Sequence, residues 1–268
     1  MRLSILRAAA LFLSLPACAF AGSNVVNLSH YDMMRPDFAA MKREGIIGVI
    51  HEATYPHFVH DAKYFERQQA ATRAGLLWGA YHYANGTDPV RQADHFLSAV
   101  SSAWAQVDSA VRGPGVLLVL DFEKNGHYPG GTMRVDQAVA FVERIRQRTG
   151  IYPGIYSGEY HLRQALSSKA TNAQRSVLAN CWLWMANYHS EPRATAPWSY
   201  WSLWQYCGDG KGARPRSAYP ISVANIKKAE RNIFRGNQSD LQEFWQRRAW
   251  QPSGGKSRRE PERTVAAD

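Results

Sequence analysis

Short apolar runs alternate with longer amphipathic segments along most of this 268-residue chain. The runs lack the polar alternation of a half-exposed strand, so they are typical of strands buried on both faces. The segments between them begin near proline or acidic residues and end at glycine, which is the pattern of helices. Because strands and helices alternate, the sequence predicts an α/β fold, a single modified TIM-like (β/α) barrel with parallel strands.

The predicted strands lie at 25–28, 46–50, 76–83, 116–123, 152–157, 182–187 and 201–206, and the predicted helices at 36–44, 61–74, 89–103 and 134–148. In such barrels the reacting groups lie at the C-terminal ends of the strands. Polar and aromatic side chains crowd these ends here, which is typical of a carbohydrate cleft. They are Asn27, Ser29, His30, His51, Glu52, Tyr81, His82, Tyr83, Tyr156, Asn187, Tyr188, Gln205 and Tyr206.

The stretch VLLVLDFE at 116–123 ends a buried strand on two acids, Asp121 and Glu123. Positions i and i+2 of a strand face the same way, with Cβ atoms about 6.5–7 Å apart. Two neighbouring carboxyl groups, one protonated and one ionised, are the usual equipment for glycoside hydrolysis. The spacing lies between those of retaining and inverting enzymes, so it leaves the stereochemistry open. The alternative is that one or both acids pair with Arg or Lys inside the barrel.

The two ends of the chain differ in composition from the middle. Residues 1–21 place Arg2 and Arg7 ahead of an apolar stretch and end in a small-x-small motif, which predicts a secretory signal peptide cleaved near Ala21. Lipoprotein processing at Cys18 is the less favoured alternative. Residues 247–268 are polar, basic and contain glycine and proline, so they predict a disordered tail. The catalytic barrel is therefore predicted at 22–246.

Charge and hydropathy narrow the expected partners. Without the two arginines of the signal peptide, 30 basic residues face 22 acidic ones, a net charge of +8. An exported basic protein suits anionic surfaces, so we expect peptidoglycan or a related anionic cell-wall glycan as the partner, and no nucleic acid. No other segment reaches the roughly 18 apolar residues of a membrane span, so we expect no stable membrane insertion. We expect a monomer in the periplasm or the extracellular space.

Several segments of the chain carry a resemblance to one enzyme family. They are Ser29-His30, AATRAGLLWGAYHYA at 70–84, QADHF at 92–96, LVLDFE at 118–123, TGIYPGIYS at 149–157, LWMANY at 183–188, SLWQY at 202–206 and ERNIFRG at 230–236. Taken in order, this set resembles the lysozymes of glycoside hydrolase family 25. Those enzymes cleave peptidoglycan between N-acetylmuramic acid and N-acetylglucosamine.

The resemblance implies roles for individual residues. Glu123 would be the general acid, and Asp121 would orient the acetamido group of the substrate or stabilise the intermediate. The family is thought to retain configuration through participation of that acetamido group. The implied substrate-binding residues are Asn27, Tyr81, Tyr83, Tyr156, Trp184, Tyr188, Gln205 and Glu230.

Two positions depart from the family pattern. Asn27 stands where the first strand normally presents an aspartate, and Glu230 stands where the last strand presents another. Asparagine keeps hydrogen bonding but loses the charge, whereas glutamate keeps the charge on a longer arm. We expect an active enzyme. The alternatives are a catalytically weak or inactive protein that binds cell-wall glycan, and a hydrolase of another N-acetylhexosamine polymer.

Other residue types carry weaker signals. No histidine spacing matches a compact zinc motif, so we expect neither a metal nor a cofactor, and we expect His82 to be a hydrogen-bonded wall of the cleft. Cys181 and Cys207 are compatible with a disulfide or with two buried thiols. The series Trp198, Trp201 and Trp204 could offer a platform to a sugar. Since two of these rings fall on opposite faces of a strand, at least one is expected in the core.

Overall fold

The computed structural model describes residues 24–126 and 128–252. The predicted signal peptide and residues 253–268 of the predicted tail lie outside the described residues. The strands are β1 (Val25–Leu28), β2 (Gly48–Tyr55), β3 (Val59–His60), β4 (Leu77–Tyr83), β5 (Val116–Asp121), β6 (Gly154–Gly158), β7 (Trp182–Ala186), β8 (Leu203–Gly208), β9 (Lys211–Gly212) and β10 (Glu230–Phe234). The α-helices are α1 (Phe38–Arg43), α2 (Tyr64–Arg73), α3 (Pro89–Ala105), α4 (Val135–Thr149), α5 (Glu159–Lys169), α6 (Asn172–Leu178) and α7 (Gln238–Arg248).

Eight strands close into a barrel in the order β1-β10-β8-β7-β6-β5-β4-β2, because β2 also pairs with β1. The prediction of an α/β barrel is confirmed. The prediction of parallel strands fails at β10, which runs antiparallel to both β1 and β8. Between β8 and β10 the described chain forms only the short β9 and loops, without a crossover helix, so the returning strand runs in the opposite direction.

The barrel separates two apolar layers. One cluster fills the interior of the barrel and includes Leu117 and Val119. The other lies between the strands and the surrounding helices and includes Leu118 and Leu120. The residues of β5 therefore alternate between the two layers, as strand geometry requires. Asp121, the next residue in the inward series, is thereby directed to the interior at the C-terminal end of the strand.

Helix α7 closes the opposite end of the barrel. The fully buried Trp245 donates a hydrogen bond from Nε1 to the carbonyl of Trp78, at 3.0 Å. Trp250 then exchanges two backbone hydrogen bonds with Val116, at 2.8 and 2.9 Å. The predicted boundary between barrel and tail after residue 246 is therefore too early, because packing under the barrel continues past the end of α7.

Three further expectations concern the core and the surface. Cys181 and Cys207 are free, buried thiols, which decides between the two alternatives. The three tryptophans at 198, 201 and 204 are all buried and belong to the core, so none of them forms a sugar platform. In the part of the chain that the structure describes, no helix has the length and apolar character needed to span a bilayer.

Candidate active site

A cavity of about 470 Å³ opens at the C-terminal ends of the barrel strands. It is lined by Asn27, Ser29, Tyr31, Asp32, Glu52, Tyr81, Tyr83, Asp121, Glu123, Tyr128, Tyr156, Trp184, Asp209, Lys228 and Glu230. The cavity brings together both predicted catalytic residues and most of the predicted substrate-binding residues. The two exceptions, Tyr188 and Gln205, lie directly behind it.

Asp121 and Glu123 reach the cavity from the end of β5. Asp121 pairs in register with Tyr83 on one side and with Tyr156 on the other. The backbone N–H of Phe122 donates to the Tyr156 carbonyl at 2.9 Å, which extends the strand pairing by one residue. The Phe122 side chain is buried in the outer layer, so Glu123 returns to the inner face beside Asp121. The two carboxylates therefore share one wall, as the i and i+2 spacing predicts.

The electrostatics of this pair are those of acids held away from water. Burial raises the pKa of Glu123 to about 7. Burial, reinforced by the charges of Glu123, Glu52 and Glu230, raises the pKa of Asp121 well above its ordinary value. Within the described residues neither acid forms an ion pair, and Asp121 Oδ1 is buried without a hydrogen-bond partner. The alternative prediction, that Asp121 or Glu123 pairs with an Arg or Lys inside the barrel, is therefore wrong for the described residues.

The two departures from the family pattern contact each other. Asn27 and Glu230 are register partners on β1 and β10, and the Asn27 amide donates to Glu230 Oε2. Asn27 Oδ1 accepts a hydrogen bond from Asn232 at 2.9 Å. Burial raises the pKa of Glu230 to about 8, and the charges of nearby acids add to this effect. The Asn27 amide thus donates a hydrogen bond to the carboxyl group of Glu230. An aspartate at position 27 would instead have placed a second negative charge beside Glu230.

A third group supports the floor of the cavity. The Tyr156 hydroxyl donates to Gln205 Oε1 at 2.6 Å, and its ring meets Trp184 edge-on at 4.7 Å between centroids. Trp184 is fully buried and donates from Nε1 to Asn232 Oδ1 at 2.7 Å. Trp184 therefore fixes Tyr156 from below and presents little surface to a ligand. Gln205 positions the Tyr156 hydroxyl in the same way.

Tyr188 lies beside the Asn27–Glu230 pair. A Cβ on Gly208 would stand 2.4 Å from the Tyr188 hydroxyl oxygen and 3.2 Å from Glu230 Oε1. This close approach requires glycine at position 208. Burial and the charge of Glu230 raise the pKa of Tyr188. The Tyr188 hydroxyl therefore stays protonated at neutral and mildly alkaline pH. It can therefore donate a hydrogen bond near the carboxylates.

His82 does not line the cleft, contrary to expectation. It is buried on the outer face of β4, where Thr54 and Gln92 bond its two ring nitrogens at 2.8 and 3.0 Å. Its ring stacks on Phe141 of α4 at 5.5 Å. The tyrosines on either side of it in sequence face inward, so strand alternation sends His82 outward.

The sequence places Glu52 at the strand ends without giving it a role, and it does not single out Asp209 or Lys228, which also line the cavity. Glu52 follows an apolar run, as Asp121 does. This position after a buried strand is the sequence feature that indicates a place in the cavity for Glu52. Its Oε2 accepts from the His30 backbone N–H at 3.1 Å and also contacts the His30 ring. Asp209 and Lys228 come from the connection between β8 and β10, where no local pattern marks them. They reach the cavity only because β10 closes the barrel.

A closed α/β barrel with two neighbouring acids at the C-terminal ends of its strands, Asp121 buried and Glu123 half-buried, defines the class of this protein. One acid has its pKa raised to about 7 and can donate a proton near neutral pH, while the other lies on the same wall. This pairing is the equipment of a glycoside hydrolase.

Comparisons with known proteins identify the family. The model of glycosyl hydrolases family 25 matches residues 26–213, which is more than half of the chain. This chain belongs to that family, and the resemblance described above is confirmed.

Three relatives illustrate the likeness. The chain is 24% identical to Lysozyme M1 of Streptomyces globisporus over 202 residues, covering 71% of this chain and 64% of the relative. It is 37% identical to the autolytic lysozyme of Clostridium acetobutylicum over 65 residues, covering 24% of this chain and 20% of the relative. It thus spans less than two thirds of either curated relative. The crystal structure of the bacterial lysozyme from Streptomyces coelicolor has the same fold, with a TM-score of 0.64, 23% identity, and coverage of 85% of this chain and 99% of that one.

Proposed function

We propose that this protein is an exported muramidase. It cleaves the β-1,4 bond between N-acetylmuramic acid and N-acetylglucosamine in peptidoglycan, with Glu123 as the general acid and Asp121 as its carboxylate partner. The observation that carries this proposal is the pair itself. Burial raises the pKa of Glu123 to about 7, and no residue that the structure describes donates a hydrogen bond to the neighbouring Asp121 Oδ1. The family assignment supports the reaction class.

The chemistry follows from the protonation of the two acids. The carboxyl group of Glu123, protonated below pH of about 7, donates its proton to the glycosidic oxygen as the bond to the anomeric carbon breaks. The acetamido oxygen of the same sugar attacks that carbon from the opposite face. Asp121 Oδ1 accepts the acetamido N–H and stabilises the positive charge that develops there. Glu123, now ionised, removes a proton from the water that opens the intermediate, and the configuration is retained.

The substrate can supply a donor to an Asp121 oxygen to which no described residue donates. A buried acceptor without a partner costs free energy, about 1–3 kcal/mol in typical cases. The acetamido N–H removes this penalty when substrate binds and favours the ionised form of Asp121. Binding thus drives the two acids to opposite protonation states. N-acetylated sugars are the substrates that can do this.

The remaining groups bind and position the sugar. Tyr156, held by Gln205, lies against the reacting unit, and Tyr81 and Tyr83 extend the same wall of the cavity. Glu230, supported by the Asn27 amide, offers a hydrogen-bonding carboxyl group on the opposite wall. Asn27 and Glu230 together therefore replace two aspartates without adding charge, and we expect turnover to be preserved.

Reducing-end release from purified peptidoglycan tests this function. Wild type, Glu123→Gln and the control Glu66→Gln are compared, and the products are identified by mass spectrometry. Glu66 lies on α2, where it pairs with the exposed Arg35. We expect muropeptides ending in muramic acid from wild type and from the control, and their loss in Glu123→Gln. Wall binding without any release would instead favour a glycan-binding module, and release from other N-acetylhexosamine polymers alone would change the substrate.

Export and oligomeric state are parts of the same proposal. The N-terminal sequence of protein recovered from the periplasm or the culture medium tests cleavage near Ala21. A new terminus at Cys18 would favour the lipoprotein alternative. Light scattering of the processed protein tests the expected monomer, and the net charge of +8 supports attraction to an anionic wall.

A further inference from the structure

Five aromatic rings form a continuous row, and three of them, Tyr31, Tyr83 and Tyr128, line the cavity. The ring centroids of Tyr83 and Tyr128 are 5.8 Å apart, and those of Tyr128 and Tyr55 are 6.0 Å apart. Tyr55 stacks on His30 at 4.4 Å, and His30 contacts Tyr31 at 3.8 Å. These five residues, here called the aromatic row, come from four separate segments of the chain. The pairing of β1 with β2, of β2 with β4 and of β4 with β5 brings these segments together.

The inner end of the aromatic row touches the catalytic pair. Tyr83 is the register partner of Asp121 on the neighbouring strand. Burial, with the charges of Glu123 and Asp121, raises the pKa of the Tyr83 hydroxyl. The row therefore begins where the reacting sugar is held and leads outward from it.

The outer end of the row is exposed but held in place. The side chain of Tyr31 is 70% exposed. Two cations hold its loop, residues 29–34, in place. Lys63 immediately precedes α2, and Arg67 lies on α2. Lys63 donates to the His30 carbonyl at 2.7 Å, and Arg67 donates to the Met34 carbonyl at 2.9 Å. A binding surface fixed in advance loses less entropy when a ligand arrives.

A buried carboxylate lies at the foot of the aromatic row. Glu52 is 2% exposed, lines the cavity and is oriented by the His30 backbone N–H. Its carboxylate can accept hydrogen bonds from sugar hydroxyl or amide groups, while the rings offer flat apolar faces to the C–H groups of a pyranose. Asp32 lines the same region and adds negative charge.

We infer that the aromatic row is a further saccharide subsite, which binds an N-acetylhexosamine unit of the glycan beyond the sugars held at the catalytic pair. The inference rests on the proposed function for its choice of polymer. It makes Tyr31, Tyr55 and Tyr128 specificity-determining residues for long glycan strands. Short substrates that end at Tyr83 do not reach them.

Binding calorimetry in a Glu123→Gln background tests this subsite without turnover. The probes are peptide-free glycans of eight and of four alternating N-acetylglucosamine and N-acetylmuramic acid units. We expect Tyr31→Ala to weaken binding of the longer glycan about threefold to tenfold and to leave binding of the shorter one unchanged. Tyr31→Phe keeps the ring and is expected to keep the affinity. The control Tyr160→Ala removes a tyrosine of similar exposure, 74%, from α5.

The outcomes separate the two proposals. An unchanged affinity of Tyr31→Ala for the longer glycan, or equal losses for both glycans, overturns the subsite. A length-dependent loss supports it even if wild-type protein releases no reducing ends, and in that case the proposed hydrolysis alone fails. If wild type cleaves both glycans while Tyr31→Ala has no effect on binding, hydrolysis stands and the subsite fails.

Discussion

Replacing Glu123 with glutamine is expected to stabilise the fold at alkaline pH. Burial raises the pKa of this carboxyl group from 4.5 to about 7 in the folded protein. The unfolded chain ionises near the ordinary value, so the folded state binds more protons between these two values. Stability is therefore full below pH of about 4.5 and falls as the pH rises through 7. Glutamine has no proton to lose, so this loss disappears.

The expected gain in the free energy of unfolding follows from the pKa shift of Glu123. One pKa unit corresponds to about 1.4 kcal/mol, so a shift of this size gives about 3 kcal/mol of stabilisation for Glu123→Gln at pH of about 9. The same change removes a negative charge that raises the pKa of Asp121, which adds in the same direction. At pH of about 4 both forms of the side chain are neutral, and the two proteins should unfold alike.

Urea unfolding followed by tryptophan fluorescence measures both free energies. Wild type, Glu123→Gln and the surface control Glu66→Gln are compared at the two pH values, with coincident far-UV circular dichroism transitions as the check for two-state behaviour. The control should show no comparable gain. A Glu123→Gln protein that is no more stable than wild type at alkaline pH would refute the reasoning, because the site would then hold its charge without cost.

Three further outcomes follow from the site and the core. The kcat/KM for peptidoglycan should fall about tenfold per pH unit above pH of about 7 as Glu123 ionises, and an activity that is flat to pH 9 would contradict its role as general acid. Asn27→Leu should raise the pKa of Glu230 above about 8, because it removes the amide that donates to this carboxyl group. Carboxyl ¹³C chemical shifts measured against pH would detect the change, and an unchanged pKa of Glu230 would contradict the prediction. Trp245→Ala should lower the free energy of unfolding by about 3–5 kcal/mol in urea, whereas the exposed Tyr160→Ala should lower it by less than about 0.5 kcal/mol.

The catalytic wall was predictable because its signal is local. A run of apolar residues fixes β5 as a buried strand, and strand alternation then places Asp121 and Glu123 on one face. The same alternation would have placed His82 correctly had its neighbours Tyr81 and Tyr83 been taken as the inward series.

Other parts of the site depend on contacts between distant segments. The aromatic row joins four stretches of the chain, and no short pattern in any of them indicates the others. The direction of β10 and the arrival of Lys228 in the cavity depend on how the barrel closes. Helix α7 was missed for a different reason. Leu241 and Trp245 have helical spacing, but the polar and charged residues around them leave only a narrow apolar stripe as a helix signal.

The closure of the barrel also orders events in time. The first strand, β1, is flanked by β2 and by β10, the last strand, while α7 supplies the residue that fills the base beneath β2 and β4. A chain emerging from a ribosome therefore cannot complete its ring until β10, Glu230–Phe234, has been made. Any truncation upstream of Trp250 removes a contact that seals the base, and a fusion partner at that end has to leave this residue free to pair with Val116.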